Sequence, residues 1–314
     1  MLTVLSITSS IFIIIAIGFI TVRRGLLEPS NTRALGVFVV DYALPALLFK
    51  ALSQQPMAQV LNFDLLVAYA LGSVSLMIVS LLCRCLIQSK GLQESAILTM
   101  GMTVSNSAFM GFPIAQQIIG ETARSTLAVY VSVENLIMLP VLITLIEISS
   151  QSHQKGMLIF RAIIKRLITN PLILSISAGV VFSVFELHLP VFLSRALEML
   201  SGASAPVALF YIGCILAGLR LKGMKADISS VIFGKLFLHP LAIYLMLLAF
   251  AFQNPVLKQA AVINASMPMF SIYPLLNQKY GYQEFCTAAM VATTIMSFFT
   301  ITFLLWIIQA GYLV

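Results

Sequence analysis

Apolar stretches of about 20 residues recur along the whole chain, and that is the length a helix needs to cross the hydrocarbon core of a bilayer. Ten can be marked, near 3–22, 34–53, 65–87, 95–119 and 125–148, then 170–189, 196–219, 229–252, 257–278 and 285–309. With 60% of its 314 residues hydrophobic and 9% charged, the chain lacks the polar surface of a soluble domain, which has roughly 25% charged residues. No segment alternates polar and apolar residues at the length of a barrel strand. The expected fold is an all-α polytopic membrane protein of ten transmembrane helices, solvated by membrane lipid.

The first stretch reads as a retained span. Its charges, Arg23 and Arg24, follow the apolar run instead of preceding it, the reverse of a signal peptide. Thirteen of the eighteen Lys and Arg, from Arg23 to Lys279, fall in connections after odd-numbered spans. Only Lys50, Arg124, Arg195 and Lys258 stand on the other side, and Lys235 lies within a span. Basic residues favour the cytoplasmic side, so both termini are expected to be non-cytoplasmic, in a bacterial inner membrane. The net charge of +7 follows from that topology and from anionic lipid, and implies no nucleic-acid partner. The four cysteines have neither metal-site spacing nor a disulfide framework, and no cofactor or metal is expected.

Sliding the sequence against itself by 161 positions exposes a repeat. Pro45-Ala46-Leu47-Leu48-Phe49 falls on Pro206-Val207-Ala208-Leu209-Phe210. At the same offset Ser105, Phe109, Phe112, Pro113, Gln117 and Gly120 fall on Ser266, Phe270, Tyr273, Pro274, Gln278 and Gly281. Five spans per half is odd, so the second half enters the membrane inverted. The expected organisation is a first five-helix repeat over 1–150, a basic cytoplasmic connection over 151–169, and a second repeat over 170–314. In inverted-repeat carriers the corresponding interrupted helices cross near the midplane, where the site lies. Here the fourth and ninth helices carry Ser105, Pro113, Pro268 and Pro274 as helix-break residues.

At these residues the chain resembles the auxin efflux carrier family of secondary transporters. Asn106-Ser107-Ala108-Phe109-Met110-Gly111-Phe112-Pro113 resembles the family's N-[ST]-x-x-M-G-[IF]-P element, and Ala265-Ser266-Met267-Pro268 the start of its second broken helix. Asp41-Tyr42-Ala43-Leu44-Pro45-Ala46-Leu47-Leu48-Phe49 is similar to its N-Y-x-L-P-A-L-L-F element, with Asp41 in place of the usual Asn. Ser105 stands where auxin carriers usually have Pro. The resemblance implies a scaffold part and a transport part with two crossing broken helices, an architecture shared with bile-acid sodium symporters and sodium/proton antiporters. It also implies a small organic anion as cargo, malate or malonate in bacterial relatives and auxin in plants, and by analogy a homodimer.

A broken helix offers unpaired N–H groups at one end, suited to a carboxylate, and carbonyls at the other, suited to a cation or a donor. Asn106, Ser107 and Gly111 at the first break, with Asn264 and Ser266 at the second, are the candidate substrate-binding residues. Charges within spans are functional candidates by default. Asp41, Lys235 and His239 read as a structural charge cluster, with Lys235 snorkelling to the interface as an alternative. Glu134, followed by Asn135, has no evident cation at its depth and is the first candidate proton carrier. A neutral hydrogen-bonding Glu or one facing a wet cavity are the alternatives. Asp41 stays a second ion-coupling candidate.

The leading functional expectation is therefore an alternating-access carrier of a small organic anion, with a proton as co-ion. A sodium-coupled symporter is the alternative, and exchangers of this architecture place an acid beside the crossing, which both breaks lack. No G-x-x-x-x-G-K-[ST] motif is present, and the three histidines have no metal-ligand or catalytic spacing, so an enzyme is not expected.

Overall fold

The structure, a computed structural model, describes residues 2–53, 62–150, 165, 168–217, 225–250 and 252–311. Among the described residues every regular element is a helix. Six segments are long and apolar enough to cross a membrane: Asn31–Ser53, Phe63–Ile87, Thr122–Ser149, Val191–Ala217, Ala226–Ala249 and Gln283–Gln309. Two shorter apolar helices cover Ser9–Arg23 and Pro171–Val184. The stretches expected at 95–119 and 257–278 are missing from that set because each is interrupted partway. The connection expected over 151–169 lies outside the described residues apart from 165, 168 and 169.

In chain order the helices are α1 (Leu2–Arg23), α2 (Pro29–Phe38), α3 (Leu44–Ser53), α4 (Phe63–Leu82) and α5 (Leu92–Thr103). Then come α6 (Phe112–Ile119), α7 (Thr122–Val133), α8 (Leu139–Ser150), α9 (Pro171–Val184) and α10 (Val191–Ala217). The last five are α11 (Lys225–Phe233), α12 (His239–Ala249), α13 (Pro255–Ala265), α14 (Tyr273–Asn277) and α15 (Gln283–Gln309). Three helices start on an asparagine whose side chain accepts a backbone N–H of the first turn. Asn62 takes that of Leu65 at 2.8 Å, Asn170 that of Leu172 at 2.9 Å and Asn254 that of Leu257 at 3.1 Å. Pro171 and Pro255 follow two of these caps, where a missing N–H costs nothing.

Prolines also shape the helix interiors. Among the described residues, wide π turns occupy Val39–Ala43, Cys83–Ile87, Ser107–Gly111, Glu134–Met138 and Gly234–Leu238. All but the one at Cys83–Ile87 are followed two residues later by a proline: Pro45, Pro113, Pro140 and Pro240. Proline cannot donate to the ladder and its ring presses on the carbonyl a turn back, which a locally widened turn relieves. The π turns join α2 to α3, α7 to α8 and α11 to α12 without interrupting the rod. Asp41, Ser107, Glu134 and Lys235 all sit on such turns, so the prolines set where these polar side chains point.

Two packed bodies emerge. In one, α1 lies along α10 and α3 along α9; in the other, α4, α7, α8, α12 and α15 surround the two interrupted segments, α5–α6 and α13–α14. A second apolar cluster, with Leu47, Phe109, Leu127 and Leu209, joins the bodies. The α1–α10 contact is backbone against backbone. A methyl group on Gly213 would come within 1.9 Å of the Ile15 carbonyl oxygen, and one on Gly18 within 2.1 Å of that of Phe210. At one end of the second body Lys90 bridges Glu94 at 2.5 Å and Asp227 at 3.0 Å. Burial opposes the Lys90 charge, but these two carboxylates outweigh it and hold the amine above its ordinary value. Because backbone cannot give way as a side chain can, Gly213→Val is expected to cost about 1–3 kcal/mol. Thermal unfolding in detergent reads this as a lower melting temperature than wild type, and an unchanged one would contradict the α1–α10 packing.

Candidate functional site

α5 ends at Thr103, the chain runs extended through Val104, and helix resumes at Ser107. On the other side α13 ends at Ala265 and helix resumes at Tyr273. The two gaps cross. Ser105 and Met269 form an isolated antiparallel β-bridge, and the Asn106 N–H donates to the Pro268 carbonyl at 2.8 Å. Each gap thus satisfies backbone groups that the other leaves open, which matters where no water is at hand. The Asn106 amide also donates to Ser271 Oγ at 3.0 Å.

Of the four expected break residues, Ser105 and Pro268 lie at the crossing. Pro113 and Pro274 stand in neither gap: Pro113 follows the π turn on which the first helix resumes, and Pro274 is the second residue of α14, after Tyr273. At Pro274 the missing N–H needs no partner. What stops the helices is the pairing of the two gaps.

Buried polar side chains close around the crossing. Ser107 Oγ donates to Glu134 Oε1 at 2.5 Å, and the Asn264 amide donates to Ser107 Oγ at 2.9 Å and to the Tyr69 hydroxyl at 2.8 Å. Tyr69 completes the ring with a longer contact of 3.5 Å to Glu134. Gly111 is required: a Cβ there would stand 2.5 Å from Asn264 Oδ1. Opposite Glu134, Lys235 Nζ donates to Ser105 Oγ at 2.7 Å and to the Ala265 carbonyl at 2.8 Å, and lies 2.7 Å from His239 Nδ1. His239 Nε2 lies 3.1 Å from Ser73 Oγ. Ser105 and Ser107, two residues apart on the first gap, therefore each meet one charged residue.

Two expectations are corrected by this arrangement. Asp41 does not pair with Lys235: Asp41 is exposed, whereas Lys235 and His239 are wholly buried at the crossing. The three acceptors offered to Lys235 there also exclude snorkelling. Nor does the crossing lack an acid, since the π turn between α7 and α8 brings Glu134 to the first gap from another helix. Its separation in sequence from both gaps hid it.

A cavity of about 320 Å³ opens in front of the first gap. Its wall includes Ser105, Asn106, Ser107, Glu134, Asn135 and Ser271, and it reaches Asn170 at the head of α9. Glu134 is the one ionisable residue among the described lining residues. Asn135 accepts from Asn170 at 3.3 Å. Gly111, Asn264 and Ser266 lie behind the wall: Asn264 braces Ser107, and Ser266 Oγ bonds the Val262 carbonyl of its own helix. Behind the Asn106–Ser271 hydrogen bond lies a void of about 10 Å³ against Ile212 and Thr294. Sequence reasoning passed over Tyr69, Asn170 and Ser271. Only Asn170 carried a local signal, the Asn-Pro start of α9.

A family described as membrane transport protein matches residues 4–305. The chain belongs to that family. The auxin efflux carrier resemblance carried by Asn106–Pro113 is thereby placed on a whole-chain footing. Among curated relatives, the carrier is 30% identical over 304 residues to the "Putative malonate transporter" of Rhizobium meliloti, covering 96% of this chain and 95% of that one. It is 24% identical over 309 residues to the "Uncharacterized transporter YfdV" of Escherichia coli, covering 95% and 94%. A "Lysosomal cholesterol signaling protein" of Mus musculus is 24% identical over 314 residues, 91% of this chain but 35% of that one.

Antiparallel bridge partners lie about 4.5–5.5 Å apart, within disulfide reach. With the native cysteines replaced, the pair Ser105→Cys and Met269→Cys is expected to oxidise readily, seen by loss of thiol labelling. Full labelling of both thiols in folded protein would contradict the crossing.

Proposed function

We propose that the carrier moves a small organic carboxylate by alternating access, binding it in the 320 Å³ cavity against the first gap. The observation that carries this reading is the wall itself. The first turn after the gap has N–H groups with no carbonyl one turn back, and Asn106, Ser107, Asn135 and Ser271 add neutral donors. Such a wall holds an anion without a fixed cation that would retain it. Malonate heads the list of candidate cargoes through the Rhizobium relative's name.

Glu134 supplies the coupling. A carboxylate entering beside an ionised Glu134 meets like charge, so anion and proton bind each other's way. With Lys235 as ammonium, the empty crossing is neutral when Glu134 is ionised. It is neutral again when Glu134 is protonated and a monoanion, such as singly protonated malonate, is bound. Neutrality in both states spares the moving body the cost of carrying a net charge through hydrocarbon. The Asn106–Ser271 contact, with the large cavity before it and the small void behind, is the septum that opens on the opposite face. The cavity reaches the end of α9 where the 151–169 connection attaches, the cytoplasmic side by the distribution of basic residues.

The reciprocal packing of α1 on α10 and α3 on α9, with Phe112-Pro113 and Tyr273-Pro274 at equivalent positions in the helices that resume after the gaps, supports two inverted repeats over 1–150 and 170–314.

The test is tracer flux into liposomes holding the purified protein, with malonate, malate, other small carboxylates and indole-3-acetate in turn. Saturable uptake of at least one acid is expected, faster when the donor side is acidified. Asn106→Ala should lower it by about tenfold, one hydrogen bond to an anion. Glu134→Gln should keep exchange of the anion but lose accumulation driven by a pH gradient. Absence of flux for every acid would overturn the carboxylate reading, and pH-driven accumulation by Glu134→Gln would overturn the coupling.

A further inference from the structure

The polar groups at the crossing fall into two sets, and only one of them faces the cavity. Lys235, His239, Ser73 and the Ala265 carbonyl are fully buried behind it. The ammonium group has three protons and no acceptor, and three acceptors stand around Nζ at 2.7–2.8 Å: Ser105 Oγ, His239 Nδ1 and the Ala265 oxygen. At 2.7 Å from Nζ against 3.2 Å from the Ala265 oxygen, His239 Nδ1 is the acceptor of the Lys235 proton, leaving Nε2–H to donate to Ser73.

The position is one that attracts cations. Ala265 is the last residue of α13 and its carbonyl has no later N–H in the helix to take it up. α5 also ends here, at Thr103, so the negative ends of two half-helices converge on the group. In carriers with broken helices such ends, with unwound carbonyls, coordinate free sodium ions or protons. This chain fills the same electrostatic need from its own backbone, through Lys235 on the π turn that Pro240 imposes.

We propose that the Lys235 ammonium is a tethered cation that fills the cation position between the two helix gaps, so that the crossing needs no free alkali ion. The proposal concerns the assembly of the crossing, and it stands or falls independently of which solute is carried.

It is tested by thermal unfolding of the purified carrier in detergent, at constant ionic strength. The wild-type melting temperature should be the same in sodium, potassium and choline chloride. Lys235→Ala leaves the acceptors unpaired and a space the size of a small cation. It should melt lower, and methylammonium or an alkali ion should restore about 2 °C or more of that loss, while choline, too large to enter, should not. Lys235→Met fills the space with an apolar chain; it should also melt lower and should not respond to any cation. A wild-type protein stabilised by sodium over choline would overturn the proposal, and so would a Lys235→Met variant as stable as wild type. If Lys235→Ala folds and ignores every small cation, the position is not a cation site and the proposal fails. If that variant does not fold, the wild-type comparison and Lys235→Met still decide.

Discussion

Two gaps in two helices, each closing the other's open hydrogen bonds, are the constraint on which the rest depends. Extended backbone inside a bilayer is tolerated only where protein surrounds it or water reaches it. Ser105 and Met269 pair, Asn106 N–H meets the Pro268 carbonyl, and α4, α7, α8, α12 and α13 wall the crossing in. The polar side chains follow from the same need. Asn264, Ser107, Tyr69 and Glu134 satisfy one another on one side, and Lys235, His239 and Ser73 do so on the other. A half-satisfied network in so dry a place would be worse than an apolar one, which explains why the polar residues come as two closed sets.

The four π turns that precede a proline are the local means to that end. Glu134 and Lys235 come from helices that run unbroken past the crossing, and a regular α-helix would present them at an angle fixed by its 3.6-residue period. A proline two residues beyond each π turn widens the helix there and changes the angle. Proline thus acts here less as a breaker than as a setter of side-chain direction, at Pro140 for Glu134 and at Pro240 for Lys235.

Much of this was legible in the chain. The apolar runs located the helices, and the S-x-x-x-F-x-x-[FY]-P pattern shared at an offset of 161 located both gaps. Local pattern reports on neighbours in sequence, however, and the site is made of strangers. Glu134 reaches Ser107 from 27 residues away, and Asn264 reaches it across 157. Asp41 was matched to Lys235 because opposite charges at similar depth suggest a pair, but depth says nothing about which face a helix turns inward. Asp41 turns outward. Gly111, read from the sequence as a candidate substrate-binding residue, instead leaves room for Asn264, whose Oδ1 would stand 2.5 Å from a Cβ there.

The whole-chain relationship to membrane transport proteins makes transport the setting in which this crossing has to be understood, and the cavity in front of it is where cargo has room. Its wall sets Asn106, Ser107, Asn135, Ser271 and a single carboxyl, Glu134, among apolar residues such as Leu44, Phe109, Ile143 and Phe270. The most direct test is a density map of the carrier in lipid nanodiscs at saturating malonate, beside one without it. If the first gap is the binding site, new density lies against Asn106, Ser107 and Ser271, with one carboxylate toward the Ser107–Phe109 turn. Ligand density elsewhere in the molecule, with this cavity unchanged, would contradict it.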